Sequence, residues 1–368
     1  MTSLIQALST EFAMNQLGDL SFFLGIEAVR TDNYILLTQK KYTSELFAKS
    51  NMLDCKPCNT PIVKESMASI YDGNLLTDAA AYRKLVGTLK YLTFTRPDIA
   101  FGVNYVSQFM HAPTDLHMLL VKRILRYLKG RIGVGLTLCK GDISCLRAYT
   151  DSDWAGCPDT RRSTSGYAIF LGDSLISLSS KKQPTISRSS AEAEYECLSV
   201  TTSELEWLSN LLKELHINVS YPIQLFYDNT SAIFLASNLV FHVRAKHIEV
   251  QYHVVRDLVS AGFLKISHVA SENQLADIFT KGLCSPTFVH LLHQLLGSSH
   301  SSLVTGIGSS STATVFPSLE DISEALSSSC IFFQVDSQGV GINLRGLLVS
   351  QIVKSDRIIK VNDWLLSL

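Results

Sequence analysis

Four acidic residues lie where predicted strands and helices begin or end. Asp151 and Asp228 each end an apolar strand. Glu194 lies in the first turn of a predicted helix, and Asp277 lies on a later one. Hydrolysis of a phosphodiester places negative charge on the attacking and leaving oxygens, which two divalent ions about 3.5–4 Å apart can stabilise. Carboxylate oxygens suit Mg²⁺, so the four acids predict a site for two Mg²⁺ ions, with Mn²⁺ as the alternative ion.

Each of these acids also has a plainer interpretation. A single carboxylate at the end of an element is more often a helix cap or a surface charge, and only the set of four favours catalysis. Asp153 is a rival of Asp151 for the first ligand position, because residues two apart on a strand lie on the same face. The residues alone leave that choice open.

The elements that must position these acids form a recognisable order. Strand-like apolar runs cover 146–150, 167–171, 175–180, 223–227 and 263–269. Helices are predicted from the S-x-x-E pattern at Ser189, after Asp228, up to about Ser260, and over 273–281. Three strands followed by alternating helices and strands predict an α/β fold of mixed α+β type. We expect a mixed five-stranded sheet flanked by helices.

Basic and hydroxyl side chains near these elements suggest that the protein binds a polyanion. One group follows the first strand and another begins the helix that carries Glu194: Arg161, Arg162, Ser163, Arg188 and Ser189. A helix N-terminus with such side chains suits a phosphate, and simple helix capping is the alternative. Lys122, Arg126 and Lys129 recur at i, i+4 and i+7 on a predicted helix. They form either a basic stripe for nucleic acid or a solvated helix face.

The first 130 residues predict helices and one hairpin. Helices are expected over 4–14, 42–51 and 82–130, the last with a break at Arg96-Pro97, and the hairpin pairs 22–27 with 34–38. Thr114 or Asp115 can cap the final helical piece, and Gly130 can end it. Residues 81–131 hold nine Lys and Arg against two Asp and Glu, a balance of +7, whereas 146–297 hold twelve against fifteen, a balance of −3. A basic segment beside an acidic one suits a polyanion and divalent ions.

Composition narrows the class of protein. The 368 residues are 46% hydrophobic and 18% charged, which suffices for two or three packed domains. Eight cysteines are scattered, and only Cys55 and Cys58 form a C-x-x-C pair, so we expect reduced thiols and no zinc site. No signal peptide or membrane-length apolar run is present, which predicts an intracellular protein, cytoplasmic or nuclear, without a membrane partner.

Several motifs together resemble one family. They are Asp-Ser-Asp-Trp-Ala-Gly from 151, Ser-Lys-Lys-Gln from 180, Ser-Ser-Ala-Glu-Ala-Glu-Tyr from 189, Tyr-Asp-Asn from 227, Lys-His-Ile-Glu from 246 and Gln-Leu-Ala-Asp-Ile-Phe-Thr-Lys from 274. The chain over 147–283 resembles the ribonuclease H domain of copia-type LTR-retrotransposon Pol polyproteins. The resemblance implies an RNase H fold, an RNA–DNA hybrid as substrate, and Asp151, Glu194, Asp228 and Asp277 as metal ligands. His268 is a further candidate, with a role in product release.

The same family accounts for the N-terminal part. The run from Phe12 to Ile26 and the run from Tyr82 to Ala100 resemble reverse transcriptase beyond its polymerase active site. The Tyr-x-Asp-Asp motif would precede Met1, and no Asp-Asp dipeptide occurs in the sequence, so we expect an incomplete palm and thumb without DNA synthesis.

The expected division is a reverse transcriptase remnant at 1–140, an RNase H domain at 141–297, and a Ser-rich linker with an unassigned tail at 298–368. The expected partners are an RNA–DNA hybrid and the rest of a Pol polyprotein. The alternative is a catalytically inert transposon remnant that at most binds nucleic acid.

Overall fold

The computed structural model describes residues 21–64, 67–229, 246–296, 335–336 and 339–343. The helix predicted over 4–14 and the one predicted directly after Asp228-Asn229 lie outside the described residues. The other predicted elements can be compared with the structure.

A small antiparallel sheet lies near the N-terminus. Its four strands, in spatial order, are β1 (Phe22–Phe23), β2 (Ile26–Arg30), β3 (Tyr34–Thr38) and β4 (Leu136–Cys139). A hairpin ending in the predicted strand 34–38 is present, but its first strand is Ile26–Arg30 and not 22–27. Leu24 and Gly25 have positive φ angles and turn the chain, so Phe22–Phe23 pair with β2 instead of β3. The pairing of β4 with β3 brings residues one hundred positions apart into one sheet, and the sequence analysis did not predict it.

The large sheet contains the five predicted strands. They are β5 (Leu146–Asp153), β6 (Thr164–Leu171), β7 (Ser174–Lys182), β8 (Ile223–Tyr227) and β9 (Leu264–His268). The tail adds β10 (Val335–Asp336) and β11 (Gly339–Asn343), which pair at the β7 edge and give the order β10-β11-β7-β6-β5-β8-β9. Because β5 is antiparallel to β6 and parallel to β8, the sheet is mixed, as predicted.

Helices cover both faces of this sheet. In chain order the described α-helices are α1 (Lys40–Lys49), α2 (Ala79–Leu92), α3 (Ala100–Ser107), α4 (Asp115–Lys129), α5 (Ser190–Glu214), α6 (Lys246–Ser260) and α7 (Ser285–Leu296). One hydrophobic cluster packs α5 and Val255 of α6 on one face of the sheet. A second cluster joins residues of α2, α3, α4 and α7 to β6 and β7. The helices that precede the large sheet therefore share a core with it.

Capping residues set the helix starts. The Thr114 side chain accepts a hydrogen bond from the His117 N–H, and the His117 ring accepts one from the Thr114 N–H, so α4 begins with a reciprocal capping box. Ser189 caps α5 by accepting from the Glu192 N–H at 3.2 Å. The Glu192 carboxylate, however, accepts from the Arg188 N–H and not from that of Ser189. The capping box predicted at Ser189 is therefore modified: the Glu192 side chain bonds the backbone N–H of the residue before the N-cap.

The helical layer also buries an ion pair. Arg96 donates from Nε and Nη2 to the two carboxylate oxygens of Asp98, at 3.0 and 2.7 Å, and the Tyr127 hydroxyl donates to the same carboxylate. Arg96 and Asp98 are almost completely inaccessible to solvent. This network links the break before α3 to the end of α4.

Two expectations from composition can be compared with the described residues. The cysteines among them are free thiols, including Cys55 and Cys58. In that same part of the chain, each helix is too short or too polar to cross a bilayer.

Candidate active site

Strand register brings Asp151 and Asp228 together. Tyr149 of β5 lies opposite Phe226 of β8 in the parallel pair, so positions two residues further along each strand fall at the same edge of the sheet. Asp151 is the sixth residue of β5 and is buried, whereas Asp228 follows the last residue of β8 and is half-buried. Carboxylates from distant parts of the sequence therefore meet through ordinary strand pairing.

Asp277 reaches the same edge from a different element than predicted. The helix expected over 273–281 is wrong in type: two short 3₁₀ helices, Ser271–Asn273 and Leu275–Phe279, take its place. Gln274 separates them with an extended backbone, and its side chain donates to the Thr150 carbonyl at 3.0 Å while accepting from the Ala276 N–H. Buried Gln274 interrupts the predicted helix, and its hydrogen bond to the Thr150 carbonyl holds the Asp277 segment against β5.

Gly166 allows this segment to approach the sheet. A Cβ at Gly166 would lie 2.6 Å from the Thr280 methyl group and 2.8 Å from the Phe279 Cβ. Gly166 is opposite Asp151 in the β5–β6 pair. The absence of a side chain on β6 therefore provides the room in which Asp277 comes to lie beside Asp151.

The three aspartates form one cluster. One carboxylate oxygen from each of Asp151, Asp228 and Asp277 lies within 4.8 Å of the other two. Lys281 lies at the cluster, with Nζ 2.9 Å from Asp277 Oδ1 and 3.3 Å from Asp151 Oδ2. Two of the three carboxylates thus pair with one ammonium group, and within the described residues the negative charge of the cluster exceeds the charge of that partner.

Glu194 is positioned by the packing of α5 on β5. The Thr150 hydroxyl bonds the Cys197 thiol and the Thr201 hydroxyl, and Cys197 donates to the Asp151 carbonyl at 3.0 Å. Glu194 precedes Cys197 by about one helical turn, and Asn229 donates to its carboxylate at 2.6 Å. The fourth predicted acid therefore lies beside the cluster, linked to it through the residue next to Asp228.

The pKa values reflect this crowding of like charges. Burial and the neighbouring Asp151 raise the pKa of Asp277 to about 7, against the lowering effect of Lys281. Burial, followed by the charges of Asp151 and Asp228, raises the pKa of Glu194, while the hydrogen bond from Asn229 opposes the shift. The pKa of Lys281 is raised, because the attraction of Asp151 and Asp277 outweighs the lowering effect of burial. The cluster therefore favours additional positive charge.

The donor set suits a hard divalent cation. Close carboxylate oxygens are the ligands that Mg²⁺ and Mn²⁺ prefer, and no thiol or imidazole belongs to this cluster within the described residues. Each acid also has its own partner: Thr280 donates to Asp151, Ser271 to Asp228 and Asn229 to Glu194, whereas Lys281 pairs with Asp277. Such partners orient metal ligands in known sites.

Asp153 and His268 lie close to the cluster without joining it. Asp153 ends β5 and is half-buried, and burial followed by the charge of Asp151 raises its pKa to about 6. It is not among the three aspartates whose oxygens converge. His268 is the last residue of β9 and is exposed. It pairs with Tyr227, the residue that precedes Asp228. The imidazole is therefore accessible at the same edge of the sheet.

The predicted nucleic-acid residues of the 155–163 turn divide into two groups. Ser163 is fully buried, and its hydroxyl accepts from the Ala155 N–H at 3.0 Å, so it stabilises the turn and does not reach the surface. Arg161 is exposed and Arg162 is half-buried. Their backbone groups close the turn: the Cys157 N–H donates to the Arg162 carbonyl, and the Arg161 N–H donates to the Cys157 carbonyl.

Arg188 and Ser189 are exposed at the start of α5. Trp154, the neighbour of Asp153, is 49% exposed and donates from its indole nitrogen to the Ser187 carbonyl at 3.2 Å. The end of β5 and the start of α5 are thereby joined into one surface, next to Asp153.

On α4 the stripe is partly engaged within the fold. Lys122 is exposed, but Arg126 donates to the Lys56 carbonyl at 2.8 Å, and Lys129 lies over the Phe47 ring at 5.4 Å. These two side chains have structural contacts in addition to any role toward nucleic acid.

Sequence reasoning missed three polar residues of the site: Asn229, Thr280 and Lys281. Lys281 follows Asp277 by four positions, a spacing that brings side chains together on a helix. That spacing was the available signal. The roles of Asn229 and Thr280 depend on tertiary contacts and had no signal of their own.

A family model described as reverse transcriptase (RNA-dependent DNA polymerase) matches residues 1–64. The retrovirus-related Pol polyprotein from transposon RE2 of Arabidopsis thaliana is 46% identical over 284 residues, which are 77% of this chain and 20% of that polyprotein. An uncharacterized mitochondrial protein of the same plant is 46% identical over 209 residues, covering 57% of this chain and 87% of that protein.

Over about three quarters of its length the chain is similar to retrovirus-related Pol polyproteins of transposons. The resemblance to copia-type Pol polyproteins is thereby confirmed, and a reverse transcriptase segment is indicated over residues 1–64. The chain spans about a fifth of the length of the Pol polyprotein that it matches.

Among solved structures, the chain is similar to LC11-RNase H1, crystallised in complex with an RNA/DNA hybrid. The sequence identity is 18% and the TM-score 0.29, over 37% of this chain and 93% of that one.

Proposed function

We propose that this Pol chain is a metal-dependent ribonuclease that cuts the RNA strand of RNA–DNA hybrids. The observation that carries the proposal is the convergence of Asp151, Asp228 and Asp277 within 4.8 Å, with Glu194 beside them. Among the described residues, Lys281 is the cation that pairs with this cluster, and crowded carboxylates with one such partner are costly for a fold to maintain. A divalent-cation site accounts for that cost.

Asp151, Glu194, Asp228 and Asp277 would hold the divalent ions, Mg²⁺ or Mn²⁺. When bound, such ions stabilise the charge on the attacking and leaving oxygens of the phosphodiester. The chain itself keeps the four carboxylates in fixed orientations through Thr280, Asn229, Ser271 and Lys281. Pre-set orientation avoids rearrangement during the reaction.

The substrate class is inferred from the segment that precedes this site in the chain. The N-terminal segment matches RNA-dependent DNA polymerases, and copying RNA into DNA leaves the RNA template paired with the new strand. A nuclease on the same polyprotein would meet that hybrid first. Exposed Arg161 and Arg188, half-buried Arg162 and exposed Ser189 would contact its phosphates. Lys122, Arg126 and Lys129 would offer a second basic surface.

We divide the chain functionally at 140/141 and 297/298, as the sequence suggests, and assign hydrolysis to 141–297. Since one hydrophobic cluster joins α2, α3 and α4 to β6 and β7, the active protein is expected to need the helical layer as well. The rest of a Pol polyprotein would be the partner of this chain, and the nuclease is its proposed activity.

The test uses the full chain and a hybrid labelled on its RNA strand. We expect RNA cleavage with Mg²⁺ or Mn²⁺ and none with EDTA. Asp228→Asn should lower the rate by about 1000-fold or more, since bound ions supply several kcal/mol of transition-state stabilisation. Asp257→Asn, at an exposed position of α6, is the matched control and should cleave like wild type.

Undiminished cleavage by Asp228→Asn would refute the assignment. Hybrid binding without cleavage by the wild-type chain would support the inert, binding-only alternative. Binding should survive Asp228→Asn, because the surface arginines remain.

A further inference from the structure

A thiol and an ammonium group that are not members of the acid cluster lie in direct contact. Cys157 is part of the 155–163 turn, and Lys182 is the last residue of β7. Lys182 Nζ donates to Cys157 Sγ at 2.8 Å and to the amide oxygen of Gln108, which follows α3, at 3.0 Å. Neither of these acceptors is a carboxylate, so the sulfur is the group that can carry a negative charge against this ammonium.

The surroundings of Cys157 stabilise its thiolate. Burial alone would raise the pKa of the half-buried thiol, but hydrogen bonds from Lys182 and Thr160, together with the Lys182 charge, lower it overall. Cys139 is also half-buried, and there burial, followed by the charge of Asp173, raises the pKa of the thiol. A neighbouring cation thus distinguishes Cys157 from Cys139, and such a cation is what makes protein thiols reactive.

The turn that carries Cys157 is attached to the helical layer at two points. Gln108 shares the Lys182 ammonium with the thiol, and Asp159 accepts hydrogen bonds from the Ser69 hydroxyl and from the Ile70 N–H. A modification of Cys157 would therefore take place where the turn meets the end of α3 and the segment before α2.

We propose that Cys157 is a redox modification site, at which the thiolate paired with Lys182 reacts with a hydroperoxide such as hydrogen peroxide and becomes a sulfenic acid. Thiolates that are accessible and stabilised by a neighbouring charge are the ones that peroxides oxidise. This site goes beyond the proposed nuclease activity and does not depend on it.

The reaction needs no group other than the peroxide and a proton. The sulfur attacks one peroxide oxygen, so that an S–O bond forms while the O–O bond breaks. The sulfur is oxidised and the peroxide is reduced, and the released hydroxide takes up a proton to become water. The Lys182 ammonium, 2.8 Å from the sulfur, can donate that proton and regain one from solvent.

The test measures oxidation at each cysteine of the full chain. The reduced protein is treated with hydrogen peroxide and EDTA in the presence of dimedone, which traps sulfenic acids, and the adducts are quantified by peptide mass spectrometry. Exposed Cys145 and half-buried Cys139 are the comparators. Cys197 is fully buried, so its reaction reports unfolding.

Cys157 should form the adduct about tenfold faster than Cys145 at neutral pH, because an ordinary thiol is mostly protonated there. The gain is smaller than the ratio of the thiolate fractions, since a thiolate becomes less nucleophilic as its pKa falls. Cys139 should react more slowly than both. Equal rates at Cys157 and Cys145 would overturn the proposal.

Two variants test the pair. Lys182→Met removes the charge at nearly constant side-chain length and should slow the oxidation of Cys157 to the rate of Cys139. Gln108→Leu keeps the lysine but removes the acceptor that orients its ammonium, so the decrease should be smaller. Lys265→Met, at an exposed position of β9, is the matched control and should leave the rate at Cys157 unchanged.

The buried thiol decides which variant is informative. Where Cys197 stays unreactive in Lys182→Met, the variant is folded, and a wild-type rate at Cys157 would overturn the proposal. Where Cys197 reacts, Lys182→Met has unfolded, and a wild-type rate at Cys157 in Gln108→Leu would overturn it instead.

Discussion

Two buried aspartates of this protein have opposite environments. The Asp98 carboxylate, in the helical layer, accepts hydrogen bonds from Nε and Nη2 of Arg96 and from the Tyr127 hydroxyl. Burial alone would raise the pKa of Asp98, but the charge and hydrogen bonds of Arg96 lower it overall. Asp277, at the sheet edge, lies against Asp151 and Asp228, and among the described residues Lys281 is its ion-pair partner. Burial, followed by the charge of Asp151, raises the pKa of Asp277 to about 7.

Burial is therefore common to the two residues, and charge compensation is what differs. A carboxylate that the fold compensates fully contributes to structure. A carboxylate cluster whose charge the described residues compensate only in part needs additional positive charge. Its oxygen atoms suit a divalent cation as the source of that charge. The following predictions test whether this contrast separates structural from functional acids.

The largest effect on stability should come from Asp98→Ala. Removing one partner of a buried ion pair leaves Arg96 charged and unpaired, which costs about 3–5 kcal/mol. Urea unfolding at neutral pH measures this loss. The control is Asp173→Ala, whose partner Arg147 lies 3.1 Å away in a pair that is largely exposed. Exposed pairs contribute about 0–1 kcal/mol, so equal losses in the two variants would remove the contrast.

The same pair sets a direction for pH dependence. Because folding lowers the pKa of Asp98, its contribution is present above the ordinary value of 3.8 and is lost as the pH falls below it. Wild type and Asp98→Ala should therefore differ most at neutral pH and converge in acid. A difference that grows as the pH falls would contradict the assigned sign.

An intermediate effect is expected from Gly166→Ala. The added methyl group would push the Asp277 segment away from β6, at a cost of about 1–3 kcal/mol for overpacking. Proposed cleavage should also fall, because Asp277 would move away from Asp151. Gly87→Ala is the matched control: a Cβ there meets nothing within 4 Å inside α2, so the change should stabilise by up to about 1 kcal/mol.

The smallest effect should come from Lys281→Met. Its side chain is 40% exposed, so solvent screens its attraction to the acids. We expect a loss of about 1 kcal/mol without metal. Divalent ions should restore more stability to this variant than to wild type, since the acids then lack their ammonium partner. Thermal unfolding with EDTA and with Mg²⁺ measures both values, and an identical Mg²⁺ response would show that Lys281 does not compensate the cluster.

Much of the acid edge could be predicted from sequence because it depends on local signals. The apolar runs before Asp151 and Asp228 indicate strands, and the Ser189 cap indicates the helix that carries Glu194. The Gln-Leu-Ala-Asp-Ile-Phe-Thr-Lys motif from 274 added Asp277. The 3₁₀ conformation around Asp277 could not be predicted, because it depends on a buried bond between Gln274 and the Thr150 carbonyl, 124 residues apart.

Non-local pairing explains the other gaps. The union of β4 with β3, and the core shared by the early helices and the large sheet, bring together segments that are distant in sequence. Ser163 illustrates the reverse error: it lies in a basic turn and suggests phosphate binding, but its hydroxyl is buried against the Ala155 N–H. Polarity alone does not show which way a side chain points.

The most direct test of the central claim is metal-linked stability of the full chain. Thermal unfolding of wild type and Asp277→Asn would be compared in EDTA and in increasing Mg²⁺ or Mn²⁺. We predict saturable stabilisation of wild type, about 2.7 kcal/mol at a hundred times the Kd, and little in Asp277→Asn. In EDTA the variant should match or exceed wild type, because it removes one of the crowded charges. Equal metal responses, or none in wild type, would contradict a cation site at the acid edge.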